Sequence, residues 1–271
     1  MIKKHLIFSF FIPNDYETNE AIKMHYACLW KYHHLFDSAE FFIRSTEESS
    51  VYVDSVKMTL TNIFKCKDLR LKEIENDCFN ESRVVKDYLV DRLDQFEDTM
   101  VFVGHTKGTN DVARYGGTGA GESFLKWIYG LYFYSLEFIE EAEKKLFTVF
   151  HGRYHTFFGS FPTTIDDSKC FLSGNFYWVN PMALNYDIKT GEIAIPNMWN
   201  RMYAEDLPTL YKRIIVNGAV ICKTGGHNCI ESKLWEYDFY DGDFDDIIKH
   251  YGEYEMFMDG YNKIISFMKD E

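Results

Sequence analysis

His5-Leu6-Ile7-Phe8-Ser9-Phe10-Phe11, broken two residues later by Pro13-Asn14-Asp15, is the stretch from which the architecture follows. A continuous apolar run bounded by turn residues suits a strand buried on both faces, as strands of parallel sheets are. Behind it, Asn19 to Phe36 spaces Ala21, Met24, Ala27, Cys28 and Leu35 as a helix does. Ala39 to Ile43 reads as a second strand, Ser49 to Phe64 as a loosely periodic helix, and Asp68 to Ile74 as a third strand. Ser82 to Phe96 reads as a helix with Val85, Leu89, Val90 and Leu93 on one face, and Met100 to Val103 as the next strand. Strand and helix alternating through short connections predict an α/β fold, Rossmann-like, with a central, mostly parallel sheet and helices on both faces.

The second half is less regular. Thr109 to Gly121 carries four glycines and no apolar run, so a loop is expected, with Gly117-Thr118-Gly119-Ala120-Gly121 as a lid or hinge. Glu122 to Lys145 is the longest helical pattern. Phe147 to Phe161, Phe171 to Val179 and Ile214 to Cys222 have strand character, and helices are expected from near Ala204 and over Tyr251 to Met268. No repeat or low-complexity linker interrupts the chain, so one domain is expected, with a nucleotide half over 1–110 and an acceptor half over 111–271.

Composition narrows the classes. With 46% hydrophobic and 26% charged residues over 271 positions, the chain can bury a large core and is not disordered. Its net charge of −13 and the lack of a basic stripe speak against a general nucleic-acid binder. The 24 Phe and 19 Tyr exceed ordinary core needs. Either some rings line a groove for sugars or bases, or the excess reflects base composition. Six scattered cysteines form no CxxC pair, so neither a zinc site nor a disulfide framework is indicated. The apolar run near the N-terminus is far shorter than the roughly 20 residues a membrane helix needs. No small-residue cleavage site follows it, so a cytoplasmic protein with reduced thiols is expected.

The chemistry concentrates in turns. Met100 to Val103 runs into Gly104-His105-Thr106-Lys107-Gly108, an apolar strand ending in polar groups. In open α/β sheets ligands collect at such carboxyl ends. Lys107 can neutralise a diphosphate, Thr106 and backbone N–H groups can bind oxygens, and His105 can bind a leaving phosphate or a metal. An ordinary strand-to-loop turn with a solvated lysine fits the same residues. Ser173-Gly174-Asn175-Phe176-Tyr177-Trp178 joins a close-approach glycine, an amide and rings that suit a sugar; a turn with core aromatics is the other reading. Glu205 and Asp206, near Arg201, either complement a helix start or supply a general base. Asp241 to Asp246, His227 and the pair His151 and His155 read better as solvated or structural groups than as metal ligands.

Together, the HTKG turn, Trp127, the SGNFYW stretch and the step Arg201, Ala204, Glu205 resemble a family of GT-A-type glycosyltransferases of surface polysaccharide loci and large DNA viruses. The resemblance spans about Met100 to Asp206. It implies a GT-A-like domain that moves a sugar from a nucleotide-sugar donor to a glycan or glycoconjugate acceptor. On this reading Phe11, Pro13, His105, Thr106, Lys107 and Gly108 hold the donor. Ser173, Gly174, Asn175, Tyr177 and Trp178 hold the sugar or acceptor, and Glu205 or Asp206 is the base of an inverting reaction. The HTKG turn would stand where many such enzymes carry a metal-binding DxD. It holds no carboxylate, so Lys107 in place of a divalent metal is the expectation. A non-catalytic sugar-binding protein of the same fold and a glycoside hydrolase with two facing carboxylates are the competing readings.

Overall fold

The computed structural model describes residues 1–65, 68–77, 81–109, 119–149, 152, 154–159, 162–166, 169–172, 176–193, 195, 207, 218–220 and 236–237. The His5 to Phe11 run is the centre of strand β1, Lys3–Ile12. It pairs in parallel with β2, Ser38–Ser45, on one side and with β4, Thr99–His105, on the other. Strand β3, Asp68–Glu73, adds in parallel to β2. Beyond β4 come β8 (Tyr177–Val179), β5 (Phe157–Gly159), β9 (Gly218–Val220) and β10 (Glu236–Tyr237). The order across the sheet is β3-β2-β1-β4-β8-β5-β9-β10, and among the described strands of this sheet only the pairings of β8 are antiparallel. A separate hairpin joins β6, Pro162–Asp166, to β7, Lys169–Leu172. The fold is α/β and Rossmann-like, and strands from both halves of the sequence share one sheet.

Alternation along each strand assigns its side chains to opposite faces. Leu6, Phe8 and Phe10 of β1, with Phe41, Ile43 and Phe102, face helices α1 (Glu20–Tyr32), α2 (Val53–Phe64) and α4 (Gly119–Leu136). Ile7, Phe42, Val101 and Val103 face the other way, towards residues 81–95 and helix α6, Pro181–Lys189. Glycine at 104 follows from this packing. A Cβ there would stand 2.9 and 3.0 Å from the buried Phe8 ring and 3.4 Å from Phe176.

Several expectations give way to packing. Ser82 to Phe96 is not one regular helix: a single turn, α3 (Glu81–Val84), widens into a π-helical stretch over Val85–Leu89 and tightens into a 3-10 stretch over Val90–Gln95. Both departures keep apolar residues down, and the tightened end turns Arg92 in to clasp the buried Glu40 carboxylate at 2.8 and 3.0 Å. Gly119-Ala120-Gly121 is not loop but the first turn of α4, whose buried Ile128, Leu131 and Tyr132 anchor it to the sheet; residues 110–118 lie outside the description. The long Glu122 to Lys145 pattern divides at Glu137-Phe138 into α4 and α5, Ile139–Phe147. Among the described residues of the Phe147 to Phe161 segment, only Phe157–Gly159 is strand. Helix α6 was not foreseen, although Asn180-Pro181 is a start signal. Asn180 Oδ1 accepts from the N–H groups of Met182 and Ala183, and its amide donates to the Leu146 carbonyl at 2.7 Å. The helices expected near Ala204 and over Tyr251 to Met268 lie outside the described residues.

Gly104→Ala forces its methyl into rings that are closed in on all sides, a cost of about 1–3 kcal/mol. Urea denaturation should show a lowered midpoint for this variant with the far-UV spectrum unchanged.

Candidate functional site

The strand order reverses at β1: the chain builds β2 and β3 on one side, then crosses to place β4 on the other. The loops leaving the carboxyl ends of β1 and β4 therefore diverge, and ligands of open α/β sheets bind in the crevice this creates. Four polar devices shape that edge.

Thr106 extends the β1–β4 contact beyond the regular ladder. Its N–H donates to the Ser9 carbonyl at 3.1 Å, and its hydroxyl accepts from the Phe11 N–H at 2.8 Å while lying 3.3 Å from the Phe11 carbonyl. Asn19 caps α1 by accepting from the N–H groups of Ala21 and Ile22, and its amide donates to the Thr109 carbonyl at 3.0 Å. His25, fully buried on α1, sits 2.9 Å from the Lys107 carbonyl and 2.9 Å from the Tyr132 hydroxyl. A carbonyl only accepts, so Nε2 carries the ring hydrogen and Nδ1 accepts from Tyr132. Burial pushes this imidazole down to about 3 against the pull of the Lys107 carbonyl, with His105 lowering it further. Gly108 closes the turn at φ +78°, where a Cβ would also press on Ile128 at 3.1 Å.

The fourth device is a charge cluster on the side of the sheet facing residues 81–95. The row Phe42, Ser9, His105 runs across β2, β1 and β4, and the next position pairs Arg44 with Phe11. Glu81, at the start of α3, places one carboxylate oxygen 4.0 Å from His105 Nδ1 and the other 3.9 Å from Arg44 Nη2. The Arg44 guanidinium lies 5.8 Å from the Phe11 ring centroid. Burial alone would raise the Glu81 carboxyl, but His105, its own backbone N–H, Arg44 and Lys107 outweigh that and hold it below its usual range.

The structure thus gathers Phe11, Pro13, His105, Thr106, Lys107 and Gly108 at one edge. Phe11 and Lys107 are half-buried there and Pro13 is buried. Thr106 needs correcting: its hydroxyl and N–H are spent on β1 and serve the fold rather than a ligand oxygen. Tyr177 and Trp178 need correcting as well. Both are 0% exposed in β8, the strand between β4 and β5, where helices cover both faces. The Trp178 indole N–H donates to the Ser135 carbonyl at 2.7 Å and its ring packs on Phe102, while Tyr177 sets its ring against Phe157. They are core residues without a face for a sugar. Ser173, Gly174, Asn175, Arg201, Glu205 and Asp206 lie outside the described residues, as do Asp241 to Asp246, His227 and His151; His155 is buried.

Sequence reasoning missed Ser9, Arg44 and Glu81. Arg44-Ser45-Thr46 does repeat the grammar of an apolar strand ending in polar groups, but Glu81 joins only through the return of α3 across the sheet. Among the described residues no group of three or more His, Cys, Asp or Glu is placed to hold a metal, and no helix is long and apolar enough to cross a membrane. Compared with protein families, curated proteins and solved structures, the chain matches none.

Two outcomes follow. Thr106→Val keeps the shape but leaves the Phe11 N–H without its acceptor, costing about 1–3 kcal/mol in urea unfolding, whereas Thr106→Ser should retain most of the stability. The depressed His25 gives a signed pH dependence. The unfolded chain takes a proton near 6.5 and the folded chain only near 3, so stability is complete above 6.5 and falls as pH drops through that window. Each pH unit costs up to about 1.4 kcal/mol. The urea midpoint should fall between pH 6.5 and 4.5, and His25→Gln, starting lower, should fall less steeply.

Proposed function

We propose that this chain is a glycosyltransferase that holds a nucleotide-sugar donor at the carboxyl edge of β1 and β4 and passes the sugar to a glycan or glycoconjugate acceptor. The observation that carries the proposal is the convergence of Arg44, His105 and Lys107 on the switch-point crevice of a chain whose net charge is −13. In so acidic a protein, basic groups gathered at the edge where α/β sheets take their ligands favour a phosphorylated ligand. Lys107 is a compact point charge on a turn held by His25, which suits a diphosphate. The base of an inverting transfer falls to Glu205 or Asp206 on this reading, and Ser173, Gly174 and Asn175 keep their role at the sugar. With no carboxylate in the turn, the proposal assigns the diphosphate counter-charge to Lys107 rather than to a divalent metal.

The test is a thermal-shift screen of UDP-, GDP-, dTDP- and CMP-sugars, each with and without Mn²⁺. One base should raise the melting temperature selectively, through linkage to the folded state, and without needing the metal. Lys107→Ala should weaken that ligand by roughly tenfold or more with an unchanged urea midpoint. Silence from every nucleotide overturns the transferase reading in favour of a sugar-binding protein or a hydrolase.

A further inference from the structure

The cluster beneath the edge contains more than the HTKG turn required. The Ser9 side chain is buried, and its hydroxyl has no hydrogen-bond partner among the described residues. Its register neighbour on β4 is His105, and the Arg44 position lies two residues beyond its neighbour Phe42 on β2. The Ser9 hydroxyl therefore belongs to the same face as an imidazole and a permanent guanidinium. The side chains of Arg44 and His105 are 4% and 8% exposed, and that of Glu81 is 18% exposed. The carboxylate is thus the most exposed of the three side chains. Its separations of 3.9 and 4.0 Å give attraction without direct hydrogen bonds.

We infer that Ser9, Arg44 and His105 form a pocket for a phosphate group and that the Glu81 carboxylate is its built-in competitor, displaced when the phosphate enters. This deepens the proposed function and rests on it only for the identity of the ligand that carries the phosphate. A phosphate group carries more negative charge and more acceptor oxygens than a carboxylate. It can take the Ser9 hydroxyl, the His105 N–H and a two-pronged guanidinium contact at once. Lys107, at the mouth, adds charge to the same approach. Glu81 does two things here: it places an opposite charge beside a buried guanidinium, and it sets a threshold that weak or singly charged anions do not pass.

The experiment is isothermal titration of the full chain with inorganic pyrophosphate in chelated, metal-free buffer. Glu81→Gln removes the competing charge and should bind pyrophosphate about tenfold tighter than the parent chain. Ser9→Ala should bind several-fold more weakly, and Arg44→Met should lose binding. If Arg44→Met fails to fold, Ser9→Ala carries that arm, because it removes a hydroxyl without leaving a described partner bereft. Binding to Glu81→Gln that is equal to or weaker than the parent's overturns the inference, as does absence of heat in every variant. Pyrophosphate binding with this pattern and no response to any nucleotide sugar keeps the pocket and removes the transferase. A nucleotide-sugar response indifferent to Glu81→Gln and Ser9→Ala does the reverse.

Discussion

The hydrogen bond from His25 Nε2 to the Lys107 carbonyl is the contact on which the candidate ligand-binding edge depends. A strand end that must present a lysine to solvent gains no support from the ladder it has just left. Here the support comes from behind, through a helix on the opposite face of the sheet. The imidazole is buried, neutral and oriented by Tyr132, so its position is set by the core and not by the ligand. Asn19 and Thr106 reinforce the same junction from the α1 cap and from β1. The loops that diverge at the switch point are thereby tied at their roots, and the Lys107 backbone is held to the framework. Such pre-organisation is what a phosphate site needs, because flexibility at the charged group would be lost on binding.

How far the sequence could be read depended on how local each signal was. Strands β1, β2 and β4 and helix α1 announced themselves through apolar runs buried on both faces, turn residues and the Asn19 cap, all within a few positions of each other. The periodicity of Ser82 to Phe96 describes a helix in isolation, while its winding answers to Phe42, which stacks on Tyr88, and to Glu40, which draws in Arg92. Nothing in the segment itself encodes those partners. Gly119 to Gly121 are helical for a related reason: glycine propensity is a weak preference, and the apolar helix that follows carries them along.

The site divides in the same way. Phe11, Pro13 and the 105–108 turn were legible because a strand end is a local feature and topology does the rest. Glu81 was not, since its place beside Arg44 and His105 depends on residues 37 and 24 positions away meeting across a sheet. Aromatic composition was the poorest guide. Trp178 and Tyr177 look like sugar platforms in a string of letters, yet a strand flanked by β4 and β5 has no solvent face to offer them.

The ion pairs that bracket residues 81–95 run in opposite senses. At the first end an acid, Glu81, meets a base on β2, Arg44; at the last end a base, Arg92, meets an acid on β2, Glu40. Laid down end for end, the same segment would bring Arg92 to Arg44 and Glu81 to Glu40, two like-charged encounters out of water. Apolar side chains such as Val85, Leu89 and Leu93 cannot tell the two arrangements apart, since grease has no polarity. The charges can, at several kcal/mol for each mismatch, so they act as a compass for the docking segment. A folding chain whose helix is too irregular to be steered by shape is steered by sign.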